Sequence, residues 1–313
     1  MTDATMKADD LPEIAPPRSQ WRDVWAQFRN HKGAMIGLAV LVVIVLFVFI
    51  GPLIWRIGPE QMPTDALTLI RSKNLGPSWG HPLGTDQLAR DELARLMAGG
   101  KISIAVGLTA MTLSISLGTL VGVLSGYFKR LDGILMRLTD LFLALPLLPL
   151  LLVMVMLFRD TIAHVLGLEA GTFILIVSAI GVTSWMQCAR VVRGEVLALK
   201  EREFVLAAKS IGTPPRRMIL RHILPNVLSP VMVAATLGIA NAIITESALS
   251  FLGLGFPPDF PTWGRLLYDG VDLMQDNPGL VIWPGVAISL TVLSVNYIGD
   301  GLRDALDPRI RGR

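Results

Sequence analysis

The sequence predicts an all-α, polytopic membrane protein with six transmembrane helices, and three observations carry that prediction. Of 313 residues, 52% are apolar and only 17% charged, whereas a soluble domain carries about a quarter charged residues. Six runs free of Asp, Glu, Lys and Arg, at residues 34–55, 102–128, 141–158, 170–189, 222–245 and 277–299, are 18 to 27 residues long. About 20 helical residues cross a hydrocarbon core of about 30 Å. The longest stretch between runs, 56–101, has 46 residues, too few for a large soluble catalytic domain.

Residues 1–33 read as a tail, polar and rich in Asp and Pro up to residue 18, a composition that predicts disorder. Trp21, Val24, Trp25 and Phe28 then recur at helical spacing, with Arg22, Asp23 and Arg29 off the stripe. That pattern predicts an amphipathic helix lying in the membrane interface. A contact stripe against other helices is the alternative. The first span, 34–55, follows a polar tail and has no small-residue cleavage site, so it reads as a retained anchor rather than a signal peptide.

Segment 56–101 lies between spans one and two. Thr85-Asp86 before residues 87–98, closed by Gly99-Gly100, predicts a capped helix there. In the second span Ser114, Gly118, Gly122 and Gly126 recur every four residues, a stripe that lets another helix approach closely in lipid. Pro146 and Pro149 in the third span predict a kink. After span five, residues 250–264 are apolar but too short and too rich in Gly and Pro to cross. Phe251 and Trp263 are the outer-mouth candidates of this segment. The core 102–300 is followed by a short tail, 301–313.

Six spans place both termini on one side. The loops and tails of that side hold 20 Lys and Arg, against 8 on the other, so the positive-inside rule makes it cytoplasmic. The net charge of +3 reports topology and gives no sign of nucleic acid. Cys188 is the one cysteine, which excludes an intrachain disulfide framework.

Several chemistries are absent. Gly99-Gly100-Lys101 is followed by Ile102, and Ala94-Arg95 stand where a P-loop needs its first glycine. The four histidines are dispersed and no His-Glu-x-x-His occurs, so no metal site is expected. Proton- or sodium-coupled carriers keep ionisable groups at the midplane, and the six runs hold no Asp, Glu, Lys or Arg. The expectation is a pathway energised by something else. A secondary transporter or channel and a structural scaffold remain the competing classes.

The loop 190–221 is the most explicit segment. Glu203-Phe-Val-Leu-Ala-Ala-Lys-Ser-Ile-Gly212 predicts a short helix with an acidic first turn and Gly212 at its end. Pro214-Pro215 then open a second helix. Ala207 and Ala208 give the first helix a slim face suited to a partner's groove.

This stretch resembles the coupling loop of permease subunits of ABC importers, Glu-Ala-Ala-x3-Gly-x9-Ile-x-Leu-Pro. Ala207, Ala208, Gly212, Leu224 and Pro225 stand at matching positions, while Leu206 replaces the Glu and His222 the Ile. Residues 81–91, 246–255, 261–264 and 299–308 are similar to the second permease of the dipeptide/oligopeptide branch, with Ala89 where glycine is usual. The resemblance implies a type I ABC importer permease fold in a cell (inner) membrane. It implies a heterodimer with a homologous second permease, two ABC ATPase subunits and an extracytoplasmic solute-binding protein. ATP and Mg would sit on the ATPases, with no cofactor on this chain. Glu203, Ala207, Ala208, Lys209, Gly212, Pro214, Leu224 and Pro225 are then the coupling candidates. Relatives carry dipeptides, oligopeptides, nickel chelates, glutathione or oligosaccharides, and the permease sequence does not choose among them.

Overall fold

The computed structural model describes residues 20–306, so the tail predicted to be disordered and residues 307–313 lie outside the described residues. Among the described residues there are twelve α-helices and no β-strand. Six helical stretches are long and apolar enough to cross a membrane. They are α2 (Lys32–Ile54), α4 (Glu92–Tyr127), α6 (Leu147–Leu166), α7 (Leu168–Lys200), the stretch Pro215–Phe251 ending in α10 (Leu224–Phe251), and α12 (Gly279–Leu306). The end of the bundle that carries α1 (Gln20–Asn30) and the end of α12 is called the tail face below, and the other the far face.

Helix α4 differs from its prediction at both ends. Asp91, not Thr85 or Asp86, caps it, accepting from the Ala94 amide at 2.7 Å. The helix runs unbroken through Gly99-Gly100 for 36 residues. Those glycines are packing positions rather than a stop. A Cβ on Gly100 would lie 2.5 Å from Val48 and 2.8 Å from the Trp263 ring, and one on Gly99 would lie 3.2 Å from the Thr262 backbone. At about 1.5 Å per residue, α4 is long enough to lift its first turns clear of the apolar core.

The small-residue stripe sits where α4 meets α7. A Cβ added at Gly118, Gly122 or Gly126 would come within 2.7 Å of Cys188, the Ala189 carbonyl or Val196, respectively. Ser114 is fully buried on the same line. Lys200 then closes the α4 C-terminus, donating to the carbonyls of Gly126 and Tyr127 at 3.1 and 3.2 Å, where the helix dipole favours a cation.

The third span is not a kinked helix but a break between two. α5 (Lys129–Ala144) ends two residues before Pro146, and α6 begins at Leu147. Pro146 has no N–H to continue α5 and pushes Leu145 out of helical geometry. Pro149 falls in the first turn of α6, where a missing donor costs nothing. α5 lies along α7 through Asp132–Arg193 and Asp140–Arg190 ion pairs, the closest contacts both 2.5 Å. The Arg193 guanidinium holds the Asp132 carboxyl below its ordinary value.

The fifth span reaches further than its uncharged run. α10 continues to Phe251 and so includes Glu246, which is fully buried. Its oxygens accept from Ser103 at 3.1 Å and Ser250 at 2.7 Å. The expectation of spans without Asp, Glu, Lys or Arg is thus corrected at the far end of α10, where hydroxyls replace the water that a carboxyl needs. α12 likewise runs to Leu306, past the start predicted for the tail. On α1, Val24 and Phe28 are buried beside Ala34 and Ala305. Those two are a contact stripe on the chain's own helices, and Trp25 remains exposed, stacked on Phe28 at 5.8 Å.

Candidate functional site: a tail-face helix and a bundle cavity

Helix α8 (Glu203–Ser210) projects from the tail face between the ends of α7 and α9 (Pro215–Met218). Its last turn closes by two backbone bonds, Gly212 N–H to Lys209 O at 3.0 Å and Thr213 N–H to Ala208 O at 3.1 Å. This Schellman arrangement places its glycine at φ +79°, the left-handed conformation that a residue with a Cβ resists. Nothing lies within 4 Å of the position a Cβ would take, so the requirement is conformational rather than steric. Pro214 caps α9 and Pro215 is its first residue.

Pro225 shapes the next turn. Lacking an N–H, it cannot bond the Arg221 carbonyl, and residues Ile219–Ile223 widen into a single π-turn. The Asn226 side-chain amide donates instead to the His222 carbonyl at 2.7 Å.

The eight coupling candidates do not share one surface. Val205 and Ala208 turn inward and pack with Val192, Val196, Met218 and Ile223. Ala208 therefore offers no surface to a partner, which corrects its reading as part of a docking face. Leu224 also packs against this cluster. Glu203, Ala207, Lys209, Gly212, Pro214 and Pro225 are exposed. The outward face of α8 has larger apolar members that the motif did not single out: Phe204 and Leu206, each 45% exposed, and Ile211, 84% exposed. Phe204, Ala207 and Ile211 follow i, i+3, i+7 spacing, so the stripe was readable from helical periodicity. Phe204 and Ala207 on α8 and Ile211 at its C-cap thus form an exposed apolar stripe.

A cavity of about 740 Å³, open along one side where Leu145, Leu147, Leu237 and Asn241 are exposed, lies between α7, α10 and the break between α5 and α6. Its walls are mostly apolar, from Phe142 and Leu147 to Pro230 and Leu237. Thr183, Ser184, Gln187, Asn241 and Thr245 supply neutral polar groups, and Arg303 stands at its rim. Pro146 thus matters through the break it makes beside the cavity. Sequence reading left these residues unassigned. Their signal, polar groups at 184/187 and 241/245 in apolar spans, is weak because Ser and Thr also satisfy their own helix carbonyls, as Thr183 does to Ala179 at 2.7 Å.

At the far face, α10 ends and the chain folds back through Gly253 at φ +77° into α11 (Trp263–Val271). Trp263 is fully buried; its indole N–H donates to the Leu96 carbonyl at 3.0 Å and its amide to Ser103 Oγ at 3.2 Å. It is a core residue of the chain, and the outer-mouth role is withdrawn for it. Phe251 is 43% exposed.

Six membrane-crossing stretches beside a polar-dotted cavity, with a short helix exposing apolar side chains at one end, are the anatomy of a multi-pass membrane transport permease. Residues 114–312 match the family described as binding-protein-dependent transport system inner membrane component. Residues 19–77 match the N-terminal TM domain of oligopeptide transport permease C. The chain belongs to this permease family and is a transport subunit, not an enzyme by itself. It is 37% identical to the oligopeptide transport system permease protein OppC of Bacillus subtilis, over 98% of this chain and 96% of that protein. It is 36% identical to the dipeptide transport system permease protein DppC of Alkalihalophilus pseudofirmus, over 96% and 95%. The OppC protein of Haemophilus influenzae is 38% identical, over 97% and 94%.

Proposed function

We propose that the chain forms half of the translocation pathway of an ATP-driven peptide importer in the cell (inner) membrane. A homologous second permease completes the bundle. Two ABC ATPases, which carry the ATP and Mg, dock at the tail face, and a solute-binding protein delivers the cargo at the far face. The tail face is the cytoplasmic one in this reading, which the excess of Lys and Arg there supports. The observation that carries this reading is the exposed stripe Phe204, Ala207 and Ile211 on a helix packed against α7, which also lines the cavity.

The mechanism follows from the mounting. α8 is joined to the cavity wall through Val205 and Ala208, which pack on α7 and on the approach to α10. Movement of α8 with an ATPase is therefore transmitted to two of the cavity's walls, because a packed core shifts as a body. Neutral amides and hydroxyls in the cavity suit a peptide backbone and bind no one side chain strongly. Peptide names on full-length relatives favour this cargo over nickel chelates, glutathione or oligosaccharides.

The test is uptake of dialanine by proteoliposomes holding both permeases and both ATPases, with the binding protein outside. Uptake that requires ATP on the tail side supports the proposal. Uptake that runs on an ion gradient without ATP identifies a secondary transporter instead.

A further inference from the structure

The segment 252–262 between α10 and α11 has fixed ends and a lightly held middle. Glu246 Oε1 accepts from Ser250 Oγ at 2.7 Å, and that hydroxyl accepts from Thr262 Oγ1 at 3.3 Å. Glu246 Oε2 accepts from Ser103 Oγ at 3.1 Å, and that hydroxyl accepts from the Trp263 amide at 3.2 Å. One buried carboxyl thus gathers both ends of the segment against α4. Between the ends stand Gly253, Gly255, Pro257, Pro258 and Pro261, and no helix forms. The middle makes local turn bonds, and among the described residues one hydrogen bond reaches it from another helix. Arg159 of α6 donates it, from Nη2 to the Gly255 carbonyl at 2.6 Å. A charge-assisted bond of this kind is about twice as strong as a neutral one.

The other hold is Phe256, 3% exposed, in a cluster with Val106 of α4, Leu151 and Val155 of α6, Ile176 and Ile180 of α7, and Leu249 of α10. Helix register puts this cluster on the far-face side of the cavity. α6 runs toward the far face, from Leu147 and Leu150 at the cavity to Leu151 and Val155 in the cluster. α4 and α7 run the other way, from Val106 and Ile180 in the cluster to Met111 and Thr183 at the cavity. The cluster therefore separates the cavity from the far face within this chain. Its one member from a loop, Phe256, can leave without moving a span. Segments with few holds on the rest of a structure are the ones that open most readily.

We propose that segment 252–262 is a far-face gate, with Phe256 as its plug and Arg159 as a positioning residue that latches it through the Gly255 carbonyl. The gate rests on the transport reading above, in which cargo arrives at the far face and a second permease completes the bundle.

The assembled transporter in proteoliposomes, without ATP or cargo, carries Leu237→Cys at the cavity in a Cys188→Ser background. A membrane-impermeant maleimide is added on the far side. With Arg159 and Phe256 intact, labelling is expected to be slow. Phe256→Ala and Arg159→Gln are each expected to speed it tenfold or more, and Arg159→Lys to restore part of the protection. A cysteine at Val192, buried in the tail-face cluster, is expected to stay unlabelled throughout. Unchanged labelling at 237 in both variants overturns the proposal, and so does faster labelling at 192, which would mean general loosening. Two variants keep the test intact if one fails to assemble. In a second arm, Arg159→Cys and Pro257→Cys are joined by a short, reducible bis-thiol reagent. Dialanine uptake is expected to fall at least tenfold on crosslinking and to return on reduction. Undiminished uptake by the crosslinked transporter overturns the gate. Labelling needs neither cargo nor ATP, so a gate that responds while dialanine is never taken up keeps this inference and removes the transport reading.

Discussion

Replacing Gly212 by valine isolates the contribution of one backbone conformation to coupling. Gly212 sits at φ +79° with open space around its Cβ position, so valine meets no clash and no lost contact. The cost is that of the left-handed region, roughly 1–2 kcal/mol for a residue with a Cβ. Escape from that cost means opening the Gly212–Lys209 and Thr213–Ala208 bonds, each worth about 1 kcal/mol. Both routes lower the population of the closed α8 turn by about 5- to 30-fold. The six crossing stretches do not depend on that turn, so membrane abundance is expected to stay normal. ATPase affinity, read by binding of purified ATPase to permease nanodiscs, is expected to fall by a similar factor, with dipeptide uptake falling alongside it. Gly212→Asn, which tolerates φ > 0, is expected to keep most activity, with Gly212→Ala between the two. Wild-type ATPase affinity and uptake in Gly212→Val would refute the reasoning and reduce the loop to a connection.

Ile211→Asp changes an exposed side chain and is expected to abolish ATPase binding at normal thermal stability, whereas Ala208→Glu, inside the tail-face cluster, is expected to lower the melting temperature; the reverse pattern contradicts the two faces assigned to α8. Asn241→Leu is expected to reduce uptake severalfold while ATPase binding stays intact, measured in the same vesicles. The Asp132–Arg193 pair predicts a pH effect of definite sign. Because the Asp132 carboxyl is held below its ordinary value, its contribution is complete above roughly pH 4 and disappears as pH falls through the lowered value. A spin-label pair on α5 and α7 beside residues 132 and 193 is expected to separate on acidification, with Asp132→Asn already partly separated at pH 7 and showing a smaller further change, since Asp140–Arg190 remains.

The spans were legible because lipid imposes one requirement on length and another on charge, and 102–128 or 277–299 satisfy both without tertiary information. The ends were not. Glu246 truncated the fifth run in the sequence, yet α10 continues because Ser103 and Ser250, distant and near in the chain, satisfy its carboxyl together. Gly99-Gly100 looked like a helix stop because propensity is local, whereas Val48 and the Thr262–Trp263 segment pack against the helix there from elsewhere in the chain. Gly212 was readable because its role is local too. Ala208 and Trp263 show the opposite limit: residue type and motif position named them, but only the packing tells which way a side chain faces. The cavity beside the α5–α6 break arises from the meeting of several elements and has no linear signature.

The most direct test of the account is a cysteine at Ile211 in the assembled importer, in membrane vesicles, treated with a short bifunctional thiol crosslinker. The coupling account predicts a crosslink to an ATPase subunit carrying a surface cysteine, with a yield that changes on adding ATP, and none from a cysteine at Asp259 on the far face. An Ile211 cysteine that never joins an ATPase, or that labels from the binding-protein side of sealed cells, contradicts it.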